Sequence, residues 1–221
     1  MRVVAFSSQK GGSGKSTLSA HLSVFADAPG KPALLIDTDP QASLALWHEL
    51  RAAETPILVK CGAKDLPTVI DEARAEGIAW VFIDTPPHNA AAIAEAMRVA
   101  DLVVVPLRPA VFDIAAVAAT LDMAKDLNKP ALPIINAAPA RRILGEPAVV
   151  SEARQALVGL GAKAWDGQVT NRAAFAHALA SGQAVHEFEP SSAAAVEMTK
   201  LWDAVRSAMG DGPVGKRKGR K

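Results

Sequence analysis

Gln9-Lys10-Gly11-Gly12-Ser13-Gly14-Lys15-Ser16-Thr17 is the stretch on which the fold turns. Before it, Arg2–Ser7 (RVVAFS) has the apolar, β-branched character of a buried strand; after it, residues 16–28 read as a helix. A glycine-rich turn between strand and helix lets successive backbone N–H groups point inward and form a nest for an anion. The helix start adds its positive dipole end at the same point. Lys15 is spaced to reach the β- and γ-phosphates of a nucleotide, and the Ser16 hydroxyl to ligate Mg²⁺. Gly11, Gly12, Ser13, Gly14 and Thr17 complete the candidate nucleotide-binding set. The plainer alternative is an incidental lysine in a flexible Gly-Ser loop, and the strand and helix on either side of GKST speak against it. One departure matters. In the pattern G-x-x-x-x-G-K-[ST] the first glycine would fall at position 9, where this chain has Gln9, and a second lysine, Lys10, follows it.

Outward from this loop the chain alternates apolar runs with helical stretches, the rhythm of βαβ units. Residues 33–36, 57–59, 79–83, 102–105 and 132–135 read as strands. Residues 42–54, 66–76, 90–99, 114–127, 147–160, 172–180 and 192–209 read as helices. The expected fold is α/β: a three-layer P-loop NTPase whose central, mostly parallel, twisted sheet is flanked by helices. Two strands end in acids, Asp37 and Asp39 in ALLIDTDPQ and Asp84 in AWVFIDTPP. Ligands of α/β sheets lie at the carboxyl ends of strands. Carboxylates there supply the oxygen ligands that a hard dication beside a triphosphate needs. Each Asp alone is weak evidence, because turns favour Asp; their order behind a phosphate loop is the stronger signal.

Composition narrows the class. The chain has 221 residues, half of them hydrophobic and 5% aromatic, with no Tyr. This suits one α/β domain, assigned to residues 1–209, and excludes disorder over most of the chain. No apolar run approaches the roughly 18–20 residues that span a bilayer. The N-terminus lacks the apolar core of a secretory signal. The single cysteine, Cys61, agrees with a reducing cytosol. A net charge of +1 hides an asymmetry: KRKGRK at the end holds five of the 24 basic residues, leaving 19 basic and 23 acidic residues before it. Residues 210–221 are therefore expected to form a flexible basic tail that attracts polyanions.

The variant loop KGGSGKST resembles that of the ParA/MinD family, whose form is KGGxGK[ST]. DTDPQASLALW is similar to that family's DxDPQ segment, and DTPP to its switch region. LVVVPLRPAVFDI (residues 102–114) looks like its P-x-x-P-S-x-x-D loop, with Ala110 where Ser is usual. Residues 168–176 and 182–195 resemble its C-terminal helices and adenine-side loop. The resemblance is to small ParA-type partition ATPases without an N-terminal DNA-binding domain, and operator-specific self-repression is not expected. It implies ATP and Mg²⁺ as cofactors and slow, partner-stimulated hydrolysis. Lys15 and Ser16 would hold the phosphates and metal, with Asp37 and Asp84 supporting the metal shell. Lys10 would reach the nucleotide of a second subunit, and Asp39 would orient the attacking water. Asn136 stands where the family reads adenine; a turn-forming Asn is an equal alternative.

The resemblance further implies an ATP-dependent homodimer that binds duplex DNA without sequence preference. With a ParB-like or other adaptor, it would segregate or position DNA or another cargo. Arg172 is the first DNA-binding candidate among surface bases that include Arg141, Arg142, Arg154, Lys163, Lys200 and Arg206, joined by Lys216, Arg217, Lys218, Arg220 and Lys221 of the tail. Isolated surface arginines are more often solvated charges than contacts. A cytoplasmic, nucleoid-associated protein is expected. One alternative is a MinD-like ATPase acting on membrane; GDGPVGKRKGRK opposes this, being too poor in large apolar residues for an amphipathic anchor. The other is a metabolic P-loop enzyme, for which the five scattered histidines offer no acid-base cluster, His88 beside DTPP being a surface side chain on its simplest reading.

Overall fold

The computed structural model describes residues 1–141 and 145–211. Six strands form one parallel sheet: β1 (Arg2–Phe6), β2 (Leu34–Asp37), β3 (Ile57–Lys60), β4 (Trp80–Asp84), β5 (Leu102–Leu107) and β6 (Ala131–Ile135). Their order across the sheet is β3-β2-β4-β1-β5-β6. Helices α1 (Lys15–Ala26), α2 (Ser43–Leu50), α3 (Leu66–Ala75), α4 (Ala90–Val99), α5 (Val111–Asp126) and α6 (Ala148–Gly159) fall between or after strands. Helices α7 (Ala173–Ala180), α8 (Val185–Phe188) and α9 (Ala193–Ala208) complete the described chain.

Strand residues alternate between the two faces, so one apolar run serves two cores. Val4, Phe6, Leu35, Phe82 and Val104 point to the side covered by α1, α7 and α9, where they meet Leu18, Leu22, Met198 and Leu201. Val3, Ala5, Ile36, Val81 and Ile83 point to the other, under α3 and α4, against Ile70 and Ala96. A third cluster joins Val103, Val105 and Leu107 to Val117 of α5 and Leu157 of α6. Burial of each large side chain contributes roughly 1.5–3 kcal/mol, and both faces of the sheet are closed. The expected three-layer architecture is the one observed.

Three local features have physical causes. The helix expected over residues 42–54 ends at Leu50, because the Arg51 side chain turns back to Thr55 O (2.6 Å) and Gly182 O (3.1 Å) and pairs with Glu187 (2.8 Å). Pro133 lies within β6, an edge strand, where a missing N–H is tolerated. That edge is covered by residues 165–170, through Trp165 N–H to Pro133 O (3.0 Å) and Val169 N–H to Ile135 O (2.9 Å). Neither this cover nor the one-turn helix α8 carries a periodic pattern long enough to read. No described helix is long and apolar enough to cross a membrane.

Candidate functional site

All strands being parallel, the ends of β1, β2, β4, β5 and β6 lie along one edge of the sheet. Register brings the acids together: Asp37 pairs with Asp84 across β2 and β4, and Phe6 of β1 with Asp84 on the other side. Both Asp-Thr dipeptides are clamped. Thr38 Oγ1 donates to Asp84 O (2.6 Å) and Thr85 Oγ1 to Phe6 O (2.8 Å), locking neighbouring strand ends to one another. The signal was present in the repeated Asp-Thr, but a threonine after a strand has many uses.

The glycine-rich loop feeds α1 directly. Gly14, at φ 100°, is the residue before the helix; no side chain caps the first-turn amides and no acid stands in that turn. The positive end of α1 is thus free for an anion. A Cβ on Gly14 would collide with the Asn136 amide, which donates from Nδ2 to Ser13 O (2.7 Å). Asn136 therefore braces the loop; it also lines a cavity of about 280 Å³ with Thr170 and Phe175 on the C-terminal side. Lys15 is buried, its Nζ 3.4 Å from Lys10 O, and burial lowers its pKa against the pull of Asp84 and Asp39. Lys15, Ser16, Thr17 and Asp39 face a larger cavity of about 630 Å³ with Gly11 and Gly12.

Asp84 is almost wholly buried and neither of its carboxylate oxygens has a hydrogen-bond partner. Burial pushes its carboxyl up to about 7; the Ser16 hydroxyl and the Lys15 ammonium pull the other way, yet neither completes a hydrogen bond to it. Asp37 is likewise raised by burial, with Oδ1 accepting from Asp39 N–H (3.0 Å) and Oδ2 unpartnered. Three buried, unfilled carboxylate oxygens beside Ser16 and Lys15 are the donor set a hard dication completes. Among the described residues no group of three His, Cys, Asp or Glu could hold a metal unaided. Asp39 is half-buried and its Oδ1 accepts from Gln41 N–H (3.0 Å).

Lys10 is not loose in solvent. Its Nζ lies 2.5 Å from Oδ2 of Asp113, an almost buried acid in the first turn of α5. Sequence reasoning gave Lys10 no partner within its own chain. Arg108, also unselected, follows β5 and lines both cavities. His88 is exposed, and its backbone N–H donates to Gln9 O (3.2 Å).

The expected DNA-binding residues divide. Arg172 donates to Glu197 (3.0 Å), which also accepts from Thr170 N–H and Oγ1 (2.8 Å each). Arg141 and Lys200 line the same concavity of about 330 Å³ as Arg172. Arg154 belongs to the fold instead, holding Glu146 and the carbonyls of Trp165, Asp166 and Gly167. Arg142 and the tail residues Lys216, Arg217, Lys218, Arg220 and Lys221 lie outside the described residues.

The family model described as the CobQ/CobB/MinD/ParA nucleotide binding domain matches residues 4–185. This chain belongs to that family. Its relatives include a maintenance of carboxysome distribution protein A of Gloeobacter kilaueensis, 35% identical over 56% of each chain. The chromosome-partitioning ATPase Soj of Thermus thermophilus is 30% identical over 55% of this chain and 60% of its own. The chain thus spans about half to three fifths of the length of these curated relatives. Among solved structures, apo McdA of Cyanothece matches 95% of this chain and all of its own at a TM-score of 0.73 and 16% identity. The MinD complex with Mg-ADP from Pyrococcus horikoshii matches 95% and 97% at 0.73 and 18%. At such identities the structures establish the shared ParA/MinD fold.

Proposed function

We propose that this chain is an ATP-hydrolysing switch that dimerises around ATP and Mg²⁺ and positions DNA or another cargo with an adaptor. The observation that carries this reading is the cluster at one sheet edge: Lys15 and Ser16 on an uncapped helix start, beside the unfilled oxygens of Asp37 and Asp84. Mg²⁺ would neutralise phosphate charge and orient the triphosphate. Ser16, Asp37 and Asp84 would hold the metal. Lys15 and the loop amides bind phosphate; Asp39, which lines the same cavity, orients the attacking water. Phosphoryl transfer to water asks chiefly for such positioning and charge neutralisation.

Lys10 is the switch element of this reading. Exchanging Asp113 for the nucleotide of a second copy turns an internal ion pair into a contact between subunits. DNA binding without sequence preference falls to Arg141, Arg172 and Lys200 around one concavity, joined by the basic residues 216–221. Kinship with partition and carboxysome-distribution proteins supports the positioning role.

Sedimentation with and without ATP and Mg²⁺ tests the core of this. Wild type becomes a dimer with ATP, Lys15→Ala stays a monomer, and Asp39→Ala accumulates as a long-lived dimer that retains duplex DNA. Self-association of Lys10→Ala indistinguishable from wild type would remove the trans role of Lys10.

A further inference from the structure

We infer that Arg108 is a phosphate-contacting residue of this site, a third cation set over the glycine-rich loop from the β5–α5 turn. The inference rests on the nucleotide reading above and adds a residue that the loop pattern does not contain. A Cβ built on Gly12, which itself sits at φ 71°, would lie 3.1 Å from Arg108 Nη2 and 3.8 Å from its Cζ. The guanidinium therefore rests against the loop where the chain has left out a side chain. It borders both cavities, which meet at Gly12, Gly14 and Thr17, the residues of the loop and of the first turn of α1.

Its base is rigid. Pro106 and Pro109 fix the backbone on either side. Asn136 N–H holds Leu107 O (2.7 Å), and Ala110 N–H closes a tight turn on Arg108 O (2.8 Å). The same Asn136 braces the loop through Ser13, so Arg108 and the phosphate nest are mounted on one frame.

Its charge is also uncommitted. Among the described residues no salt bridge or side-chain hydrogen bond engages Arg108, while Lys10 next door is held by Asp113 and Arg172 by Glu197. The residues outside the described set carry no acidic side chain. An exposed guanidinium with no carboxylate, fixed over an anion nest, has the planar five-donor fork that phosphate oxygens accept. Placed there, it offsets triphosphate charge within one subunit, before Lys10 of a second copy arrives.

Binding of fluorescent ATP, ADP and AMP analogues with Mg²⁺ to the full chain tests this, read by anisotropy. Arg108→Ala is expected to weaken triphosphate binding about tenfold or more, as loss of a charge-assisted contact does, and to leave AMP binding within about twofold. Arg108→Lys, which keeps the charge and loses the fork, recovers part of the difference. Circular dichroism confirms that each variant is folded. Triphosphate binding by Arg108→Ala equal to wild type, with Lys15→Ala deficient, overturns the inference and leaves the nucleotide site standing. An equal fall for AMP also overturns it, because Arg108 would then shape the pocket without addressing phosphate. Failure of the wild type to bind triphosphate removes both readings.

Discussion

Lys10 and Asp113 form the pair with the largest consequence at the scale of single residues. The lysine side chain is 37% exposed and the aspartate 5%, so the two lose unequally when separated. Removing Lys10 leaves a buried carboxylate with only the positive end of α5 to stabilise it. Lys10→Ala is expected to lower stability by about 1–3 kcal/mol, and adding Asp113→Asn to restore most of it. Urea unfolding of the two single variants and the double variant gives the coupling directly, and additivity would show that the pair is incidental. Asp113→Asn alone should lower the ATP concentration needed for dimerisation, since Lys10 then has no internal partner to leave. Asn136 is the second case. Its amide is the donor that fills Ser13 O beneath the nest, so Asn136→Ala leaves a loop carbonyl unpaired. A loss of about 1–3 kcal/mol in thermal or urea unfolding is expected, with weaker nucleotide binding.

Helix α1 begins at the glycine-rich loop and carries a buried histidine further along. His21 is fully buried; Val185 N–H at the start of α8 donates to its Nδ1 (3.0 Å), and the Phe175 ring of α7 lies edge-on 5.3 Å away. The neutral ring thus ties α1 to α7 and α8, with its Nε2 unpartnered. Burial, reinforced by neighbouring His186 and opposed by Glu187, lowers its pKa to about 3. The unfolded chain takes up a proton near pH 6.5, which the folded protein refuses until about 3. Stability from this group is therefore complete above pH 6.5 and is lost as pH falls toward 3. His21→Gln removes the effect: wild type should lose about 2 kcal/mol relative to the variant between pH 6.5 and 5. Urea midpoints at a series of pH values measure this, and parallel curves would contradict it. His186, lowered mainly by burial, remains in both proteins.

The proposed function needs two surfaces of the molecule. The larger cavity beside the glycine-rich loop is lined in part by Arg108 and Asp39, and a separate concavity by Arg141, Arg172 and Lys200. Arg172 is held by Glu197 at 3.0 Å and Arg141 by Glu146 only at 3.8 Å, so among the described residues Arg141 and Lys200, both exposed, are the less tightly held cations of that second surface. Charge reversal at Arg141 and Lys200 together should weaken binding to duplexes of any sequence and reduce the slope of log affinity against log salt by about 2. Deleting residues 216–221 should flatten the slope further. Fluorescence anisotropy on two unrelated duplexes checks both, and an unchanged slope in the charge-reversal variant would move the DNA surface elsewhere.

Local chemistry made much of this legible without coordinates. A strand, a glycine-rich turn and a helix in succession specify the phosphate nest, and strands that end in Asp37 and Asp84 specify the acids, because period and turn chemistry are properties of adjacent residues. The parallel sheet followed from the βαβ rhythm, and all six strands appear within two residues of their expected ends. What folding alone decided is pairing between residues distant in sequence. Asp113 meets Lys10 across 103 positions, Asn136 meets Ser13 across 123, and Arg172 meets Glu197 across 25. Arg108 reaches Gly12 from another strand end, by the same logic. No spacing encodes such contacts, since they depend on which strands become neighbours, and that is settled by the burial of both sheet faces at once.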